Sequence, residues 1–226
     1  MKLQNVVPWG RSFEEYREMF SLSDSDLVNC KILGCGDGPA SFNAELTLIG
    51  GRVVSVDPLY KFSGEEIRSR IEEVYPQIMS QAEQNSEDYI WERIPNVDEL
   101  GKVRMTAMNK FLDDYQIGKE TGRYINASLP ELPFQKMEFD LALCSHYLFL
   151  YSTHVSLNQH IIAVQELCRV AKEVRVYPLL SLDGNESEHL NPVMSALSEN
   201  GIEVSLKSVK YQFQKGATNM LVAKTV

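Results

Sequence analysis

Cysteine and histidine are scarce, with four of each in 226 residues. Cys30, Cys35, Cys144 and Cys168 share no C-x-x-C spacing and are too few for a disulfide framework in a chain of this length. Cys144 can be grouped with His146, His154 and His160, but these positions match none of the usual zinc spacings, so no metal site is expected. Long apolar runs are missing too. Nothing approaches the roughly 18 consecutive apolar residues of a membrane span, and the opening "MKLQNVVPWGRSFEEY" contains no apolar core of a secretion signal. No membrane association is expected, and the cytoplasm is the expected location. Positive charge is in deficit: 22 Lys and Arg face 31 Asp and Glu, a net charge of −9 with no local basic patch. A nucleic-acid backbone would meet mostly repulsion, which argues against such a partner. Internal repeats and low-complexity tracts are also absent.

What is present is an ordinary globular balance, 44% apolar and 23% charged, consistent with one domain over residues 1–226. Apolar runs of strand length recur at Ile32–Leu33 with their neighbours, Arg52–Val56, Arg123–Ile125, Phe139–Cys144 and Val174–Tyr177. Helix-period segments lie between most of them, an alternation that predicts parallel strands joined by helical crossovers. Phe13, Tyr16, Arg17 and Phe20 suggest a short leading helix. Pro39 suits a first helical position, with Phe42, Leu46 and Ile49 following and Gly50-Gly51 ending the segment. Leu157, Ile161, Val164, Leu167 and Cys168 form another stripe. Asn191-Pro192 and Asn200-Gly201 bracket a last helix. After it, Ile202–Tyr211 and Asn219–Lys224 alternate around "QKGA", which predicts a terminal antiparallel hairpin.

One interval breaks this rhythm. Between Lys61 and Gly122 the chain uses about sixty residues where a single crossover needs a dozen or more. Ser63-x-x-Glu66 reads as a capping box, Ile67, Ile71, Val74 and Ile78 make one apolar face with a break expected near Pro76, and Leu100, Val103, Ala107, Met108, Phe111 and Tyr115 make another. A helical insertion over 61–122 is expected. It emerges after the second strand, on the side where that strand ends, and is read as a lid over a binding pocket; the alternative is a peripheral helical pair that adds core.

The stretch "KILGCGDGPASF", Lys31–Phe42, carries glycine at alternate positions directly after an apolar run. A strand, a glycine turn and a helix start create a cradle of backbone N–H groups, and Gly34, Gly36 and Gly38 remove the Cβ atoms that would keep a ligand away. Asp57 ends the second apolar run about twenty positions later, where a carboxylate at the carboxyl edge of the sheet can accept bonds from ribose hydroxyls. A nucleoside ligand follows. The dinucleotide fingerprint G-x-G-x-x-G is broken by Pro39 at its sixth position, which disfavours a nicotinamide oxidoreductase.

The stretch resembles the first motif of class I S-adenosylmethionine-dependent methyltransferases. The likeness extends to Asp57 in "VVSVDP", to "INASLPELPF", to "FDLALCSHYLFLY" and to the closing hairpin, covering Cys30–Val226 apart from the 61–122 interval. It implies an α/β, Rossmann-like fold with a mostly parallel seven-stranded sheet, helices on both faces and a C-terminal antiparallel hairpin. It also implies S-adenosyl-L-methionine as cofactor. Gly34, Cys35, Gly36, Asp37 and Gly38 would line its methionine and ribose portion, Asp57 its ribose hydroxyls, and Pro58 or Leu59 its adenine. Ala127, Ser128 and Leu129 would stand at the adenine edge, and Cys144, Ser145 and His146 near the sulfonium and the incoming substrate. "CSHY" stands where enzymes methylating exocyclic base or glutamine nitrogens carry Asp/Asn-Pro-Pro-Tyr, which turns expectation toward a small-molecule acceptor or an exposed side chain.

Methyl transfer from a sulfonium needs alignment and a dry space more than catalytic groups. His146 is the candidate base, with a structural histidine as the alternative, and Tyr147 is a second catalytic candidate. Arg11, in "PWGRSFEEY", could pair with the methionine carboxylate. A module that binds S-adenosylmethionine or S-adenosylhomocysteine without catalysis is the alternative function.

Overall fold

The computed structural model of the chain describes residues 7–225. Its strands are β1 (Lys31–Cys35), β2 (Arg52–Val56), β3 (Tyr124–Ile125), β4 (Phe139–Ser145), β5 (Ala171–Tyr177), β6 (Ile202–Ser208) and β7 (Asn219–Thr225). All seven form one sheet in the order β3-β2-β1-β4-β5-β7-β6. β7 runs antiparallel to both of its neighbours, and the other pairings are parallel. The fold is therefore the Rossmann-like one expected. From β1 the chain moves outward to β2 and β3, then returns to β4 on the other side. That reversal opens a crevice beyond the carboxyl ends of β1 and β4.

Helices α1 (Phe13–Met19), α2 (Asp24–Asn29), α3 (Phe42–Leu48), α4 (Gly64–Gln84), α5 (Val97–Glu120), α6 (Leu157–Val170) and α7 (Leu190–Glu199) cover the sheet and its outer margin. Strand alternation divides the core between two faces. Ile32, Val53, Leu141, Leu143 and Val222 pack with α1 and α3. Leu33, Cys35, Ala142, Cys144 and Val174 pack with α6 and α7. Each aliphatic side chain fully buried in this way contributes about 1.5–3 kcal/mol.

The 61–122 interval is helical, and its two helices differ in role. α5 packs on α3 and β3 as a crossover helix does. Its far end is tied down by Asp114, which receives paired bonds from Arg123 at 2.7 Å and one from the Tyr124 hydroxyl at 2.9 Å. α4 is the additional element, opened by the expected Ser63/Glu66 capping box. It does not break at Pro76. The buried face Ile67, Ile71, Val74, Ile78 and Ala82 continues through it, and Pro76 itself is exposed, so the carbonyl it leaves unbonded is wetted by solvent. Residues Asp88–Trp91 then reach the β6–β7 connection: the Ile90 N–H donates to the Phe213 carbonyl at 2.8 Å, the Lys215 N–H to the Asp88 carbonyl at 2.9 Å, and Tyr89 stacks on Phe213 at 4.8 Å.

Three local expectations are corrected. α3 begins at Phe42 and not at Pro39, because Asp37–Ala40 closes a separate turn through the Ala40 N–H and the Asp37 carbonyl, and the Gly38 carbonyl that would accept the first helical bond takes the Tyr60 hydroxyl at 2.8 Å. α7 begins at Leu190, one residue before the expected cap. β6 leaves its ladder at Ser208 and not Tyr211, and residues 209–218 form a long connection in which the turn at "QKGA" is closed by the Ala217 N–H and the Gln214 carbonyl at 3.1 Å. Tyr211 is drawn away to the interior, where its carbonyl accepts from the Tyr177 hydroxyl at 3.3 Å and its own hydroxyl donates to Glu15 at 2.6 Å.

Candidate functional site

The crevice at the strand reversal is a cavity of about 700 Å³, large enough for a nucleoside-sized ligand. One wall comes from the glycine loop and the end of β2. Gly36 and Gly38 have φ of 71° and 52°, conformations that L side chains rarely adopt. A Cβ on Gly36 would stand 3.0 Å from Tyr147 Cβ. The expected cradle of free N–H groups is not what the loop presents. Gly36 N–H donates to the Val56 carbonyl, Gly38 N–H to Asp57 Oδ2 at 2.9 Å, and Ala40 N–H to the Asp37 carbonyl. The loop therefore offers a surface bare of Cβ at Gly36 and Gly38, with these three donors used to hold it in shape.

Asp57 sits between that loop and the next turn, its other oxygen accepting from Leu59 N–H at 2.8 Å. Burial raises its pKa, and the two backbone donors oppose the rise. Each oxygen keeps a lone pair for a ligand. Asp37 has turned inward, accepting from Tyr16 Oη at 2.8 Å and Ser55 Oγ at 2.6 Å. Burial pushes its pKa up to about 7 against those two donors. Gly34 makes room for this carboxylate: a Cβ there would lie 1.9 Å from Asp37 Oδ2.

A second part of the lining is cationic. Arg104, on α5, has a side chain 0% exposed, paired with Glu15 of α1, while its Nε and Nη2 have no partner. Glu15 also accepts from Tyr211 and from the Ser12 N–H at 2.9 Å. Burial would raise its pKa, but Arg104 and Arg11 hold it at about 2. Arg11 donates to the Trp9 carbonyl at 3.1 Å and leaves Nε unbonded. Among the described residues no carboxylate pairs with it, and burial together with Arg104 lowers its pKa. His146 lines the same wall, kept well below the usual histidine range by burial and by both guanidinium groups.

Arg11, Cys35, Gly36, Asp37, Gly38, Asp57, Pro58, Ala127, Ser128, Leu129, His146 and Tyr147 all line the cavity. Gly34, Cys144 and Ser145 stand behind that lining. Gly34 lies beneath Asp37, Cys144 is sealed in the core facing Cys35 across the β1–β4 pair, and Ser145 is buried behind the His146 ring. Sequence reasoning missed Arg104, Glu15 and Tyr211. Arg104 left a signal: it falls four residues after Leu100 on the apolar face that continues to Met108 and Phe111, where a solvated arginine does not belong. Among the described residues there is no group of three metal-ligating side chains, and no helix is long and apolar enough to cross a membrane.

No family model matches the chain. It is 29% identical over 228 residues to an uncharacterized protein of Methanocaldococcus jannaschii, covering 99% of this chain and 98% of that one. Among solved structures it is similar to magnesium protoporphyrin IX methyltransferase of Synechocystis PCC 6803 with bound S-adenosylmethionine, at TM-score 0.46 and 11% identity over 95% of this chain and 91% of that one. It is also similar to a S-adenosylmethionine-dependent methyltransferase of Aquifex aeolicus, at TM-score 0.44 and 14% identity over 90% and 94% of the two chains. A third similar structure is the precorrin-6y C5,15-methyltransferase of Geobacter metallireducens, at TM-score 0.42 and 13% identity over 92% and 85%. Likenesses of this size carry no functional weight on their own.

Proposed function

We propose that the chain is an S-adenosylmethionine-dependent methyltransferase acting on a small molecule or an exposed side chain. The observation that carries this reading is Asp57. Its carboxylate is fixed by Gly38 and Leu59 N–H groups beside a loop whose Gly36 and Gly38 lack Cβ atoms, in a cavity of about 700 Å³. That set suits a ribose diol and leaves space for adenine between Pro58, Leu59 and the Ala127–Leu129 segment. Arg11, an unpaired cation beside the glycine loop, suits the methionine carboxylate. When bound, the cofactor supplies an activated methyl group whose departure leaves a neutral thioether. The protein contributes alignment, exclusion of water, and His146 as the group that receives the acceptor's proton. Residues 61–122 supply Ile78, Ala82, Leu100 and Arg104 to the cavity, which supports a lid role for α4 and the segment leading from it.

Calorimetry with S-adenosylmethionine, S-adenosylhomocysteine and NAD tests the assignment. One-to-one binding of the first two without NAD is the expected result; preference for NAD, or no binding of either sulfur compound, overturns it. Hydrogen exchange on the loaded protein should show added protection within 61–122, and unchanged exchange there removes the lid.

A further inference from the structure

Arg104 is fully buried, yet it belongs to the lining of the cavity. Its Nη1 is spent on Glu15, while Nε and Nη2 have no partner among the described residues. These two nitrogens form one edge of the guanidinium plane, the edge whose parallel N–H bonds match the two oxygens of a carboxylate. A buried donor left without an acceptor is costly, and more so when it carries charge. Two such donors side by side in a cavity lining call for an anion that enters from the cavity.

The two guanidinium groups of the site are rooted in different places. Arg11 is tied to the exit of the glycine loop: its carbonyl accepts from the Ser41 N–H at 3.0 Å, and a Cβ on the preceding Gly10 would lie 2.1 Å from the Pro39 carbonyl oxygen. Arg104 projects from α5 and is tied through Glu15 to the Tyr211 hydroxyl, and the Tyr211 carbonyl accepts from Tyr177, the last residue of β5. Counted from the glycine loop after β1, β5 lies beyond β4 and His146. The lining on that side is apolar and aromatic, with Tyr151, Tyr177, Leu182, Tyr211 and Phe213. The hydroxyls of Tyr177 and Tyr211 are both engaged within the protein.

We propose that the methyl acceptor is a small molecule with a carboxylate, held by the Nε and Nη2 edge of Arg104, on an apolar or aromatic body that rests against Tyr177, Tyr211 and Phe213. This rests on the methyltransferase reading and adds the acceptor's class to it. Arg104 selects the acceptor, while Arg11 serves the methionine carboxylate. A phosphate is the poorer occupant, since its second charge would enter apolar surroundings with a single fork to meet it. Two parallel bonds also fix the plane of the carboxylate, and with it the atom of the body that is turned toward His146.

The test is calorimetric titration of the S-adenosylhomocysteine-loaded protein with benzoate, phenylacetate and cinnamate, each beside its primary amide, which keeps the shape and removes the charge. At least one acid should bind about tenfold or more tightly than its amide, as bonds to a charged group require. Arg104→Met with Glu15→Gln, which removes the fork and its counter-charge together, should erase that preference and leave S-adenosylhomocysteine affinity unchanged. Arg104→Lys keeps a charge for Glu15 but has no flat edge; it should narrow the preference, and it serves if the double variant fails to fold. Equal binding of acids and amides, no binding of any acid, or a preference that survives both variants overturns the proposal. So does a loss of about tenfold in S-adenosylhomocysteine affinity in the variants, which would assign the fork to the cofactor. A wild type that does not bind S-adenosylhomocysteine at all sinks the methyltransferase reading, and that is seen before any acid is added.

Discussion

The two walls of the cavity are built in opposite ways. One is mostly local: Cys35–Pro39 and Val56–Leu59 lie at the ends of adjacent parallel strands, and apart from the Tyr16 bond to Asp37 their carboxylates bond groups within these two segments or on β2. The other is assembled from remote pieces, with Arg11 and Glu15 at the start of the chain, Arg104 in the middle and Tyr211 near the end. The local wall is acidic and nearly satisfied. The assembled wall is cationic, and three of its guanidinium nitrogens have no partner. A ligand with a diol at one end and a carboxylate at the other would complete both, and that complementarity makes the crevice more than a gap between elements.

The contrast breaks most visibly at Arg104. Arg104→Met leaves Glu15 buried beside one cation in place of two and should cost about 3–5 kcal/mol in denaturant unfolding, most of it recovered by adding Glu15→Gln. A single variant as stable as the wild type would show that the assembled wall is not held by this pair. On the local wall, Asp57→Ala removes the acceptor of two backbone bonds and of the proposed ribose contact. Hydrogen bonds to a charged acceptor are worth about 1.5–3 kcal/mol each, so S-adenosylhomocysteine should bind at least about tenfold more weakly. Unchanged affinity would detach Asp57 from the ligand.

A further effect is in pH, and it separates the walls by sign. The folded protein keeps the Asp37 proton up to about 7, whereas the unfolded chain releases it near 3.8. Stability from this group is therefore present at low pH and falls as pH rises through that window, by at most about 1.4 kcal/mol per unit. Glu15 behaves oppositely: held at about 2 against an ordinary 4.5, its contribution is present above 4.5 and lost as pH falls toward 2. Urea unfolding followed from mildly acidic to neutral pH should show the decline, and Asp37→Asn should flatten it. An unchanged slope in that variant would assign the decline to other groups.

The same division explains what could be read from the sequence. Strand runs, the glycine loop and Asp57 are local patterns, and the sheet order with its antiparallel close agrees with them. Capping boxes announce themselves in three or four residues; the one at Ser63 was read, while the equivalent at Ser23, which starts α2, was passed over. That Gly34 makes room for a side chain of its own loop, Asp37, is a contact that spacing does not encode. Glu15 and Tyr211 could not be paired from the sequence: 196 positions separate them, and only the departure of residues 209–218 from the hairpin brings them together. Pro76 shows the converse, a local stop signal overridden by a buried face that continues past it.

α5 joins these two worlds mechanically. It delivers a guanidinium to the cavity near one end, while its other end is bolted through Asp114 to Arg123 and Tyr124 at the sheet margin. A guest that tugs on Arg104 thus loads β3, a strand of two residues with a neighbour on one side only. Loosening of that short border strand is where an oversized occupant would announce its bulk.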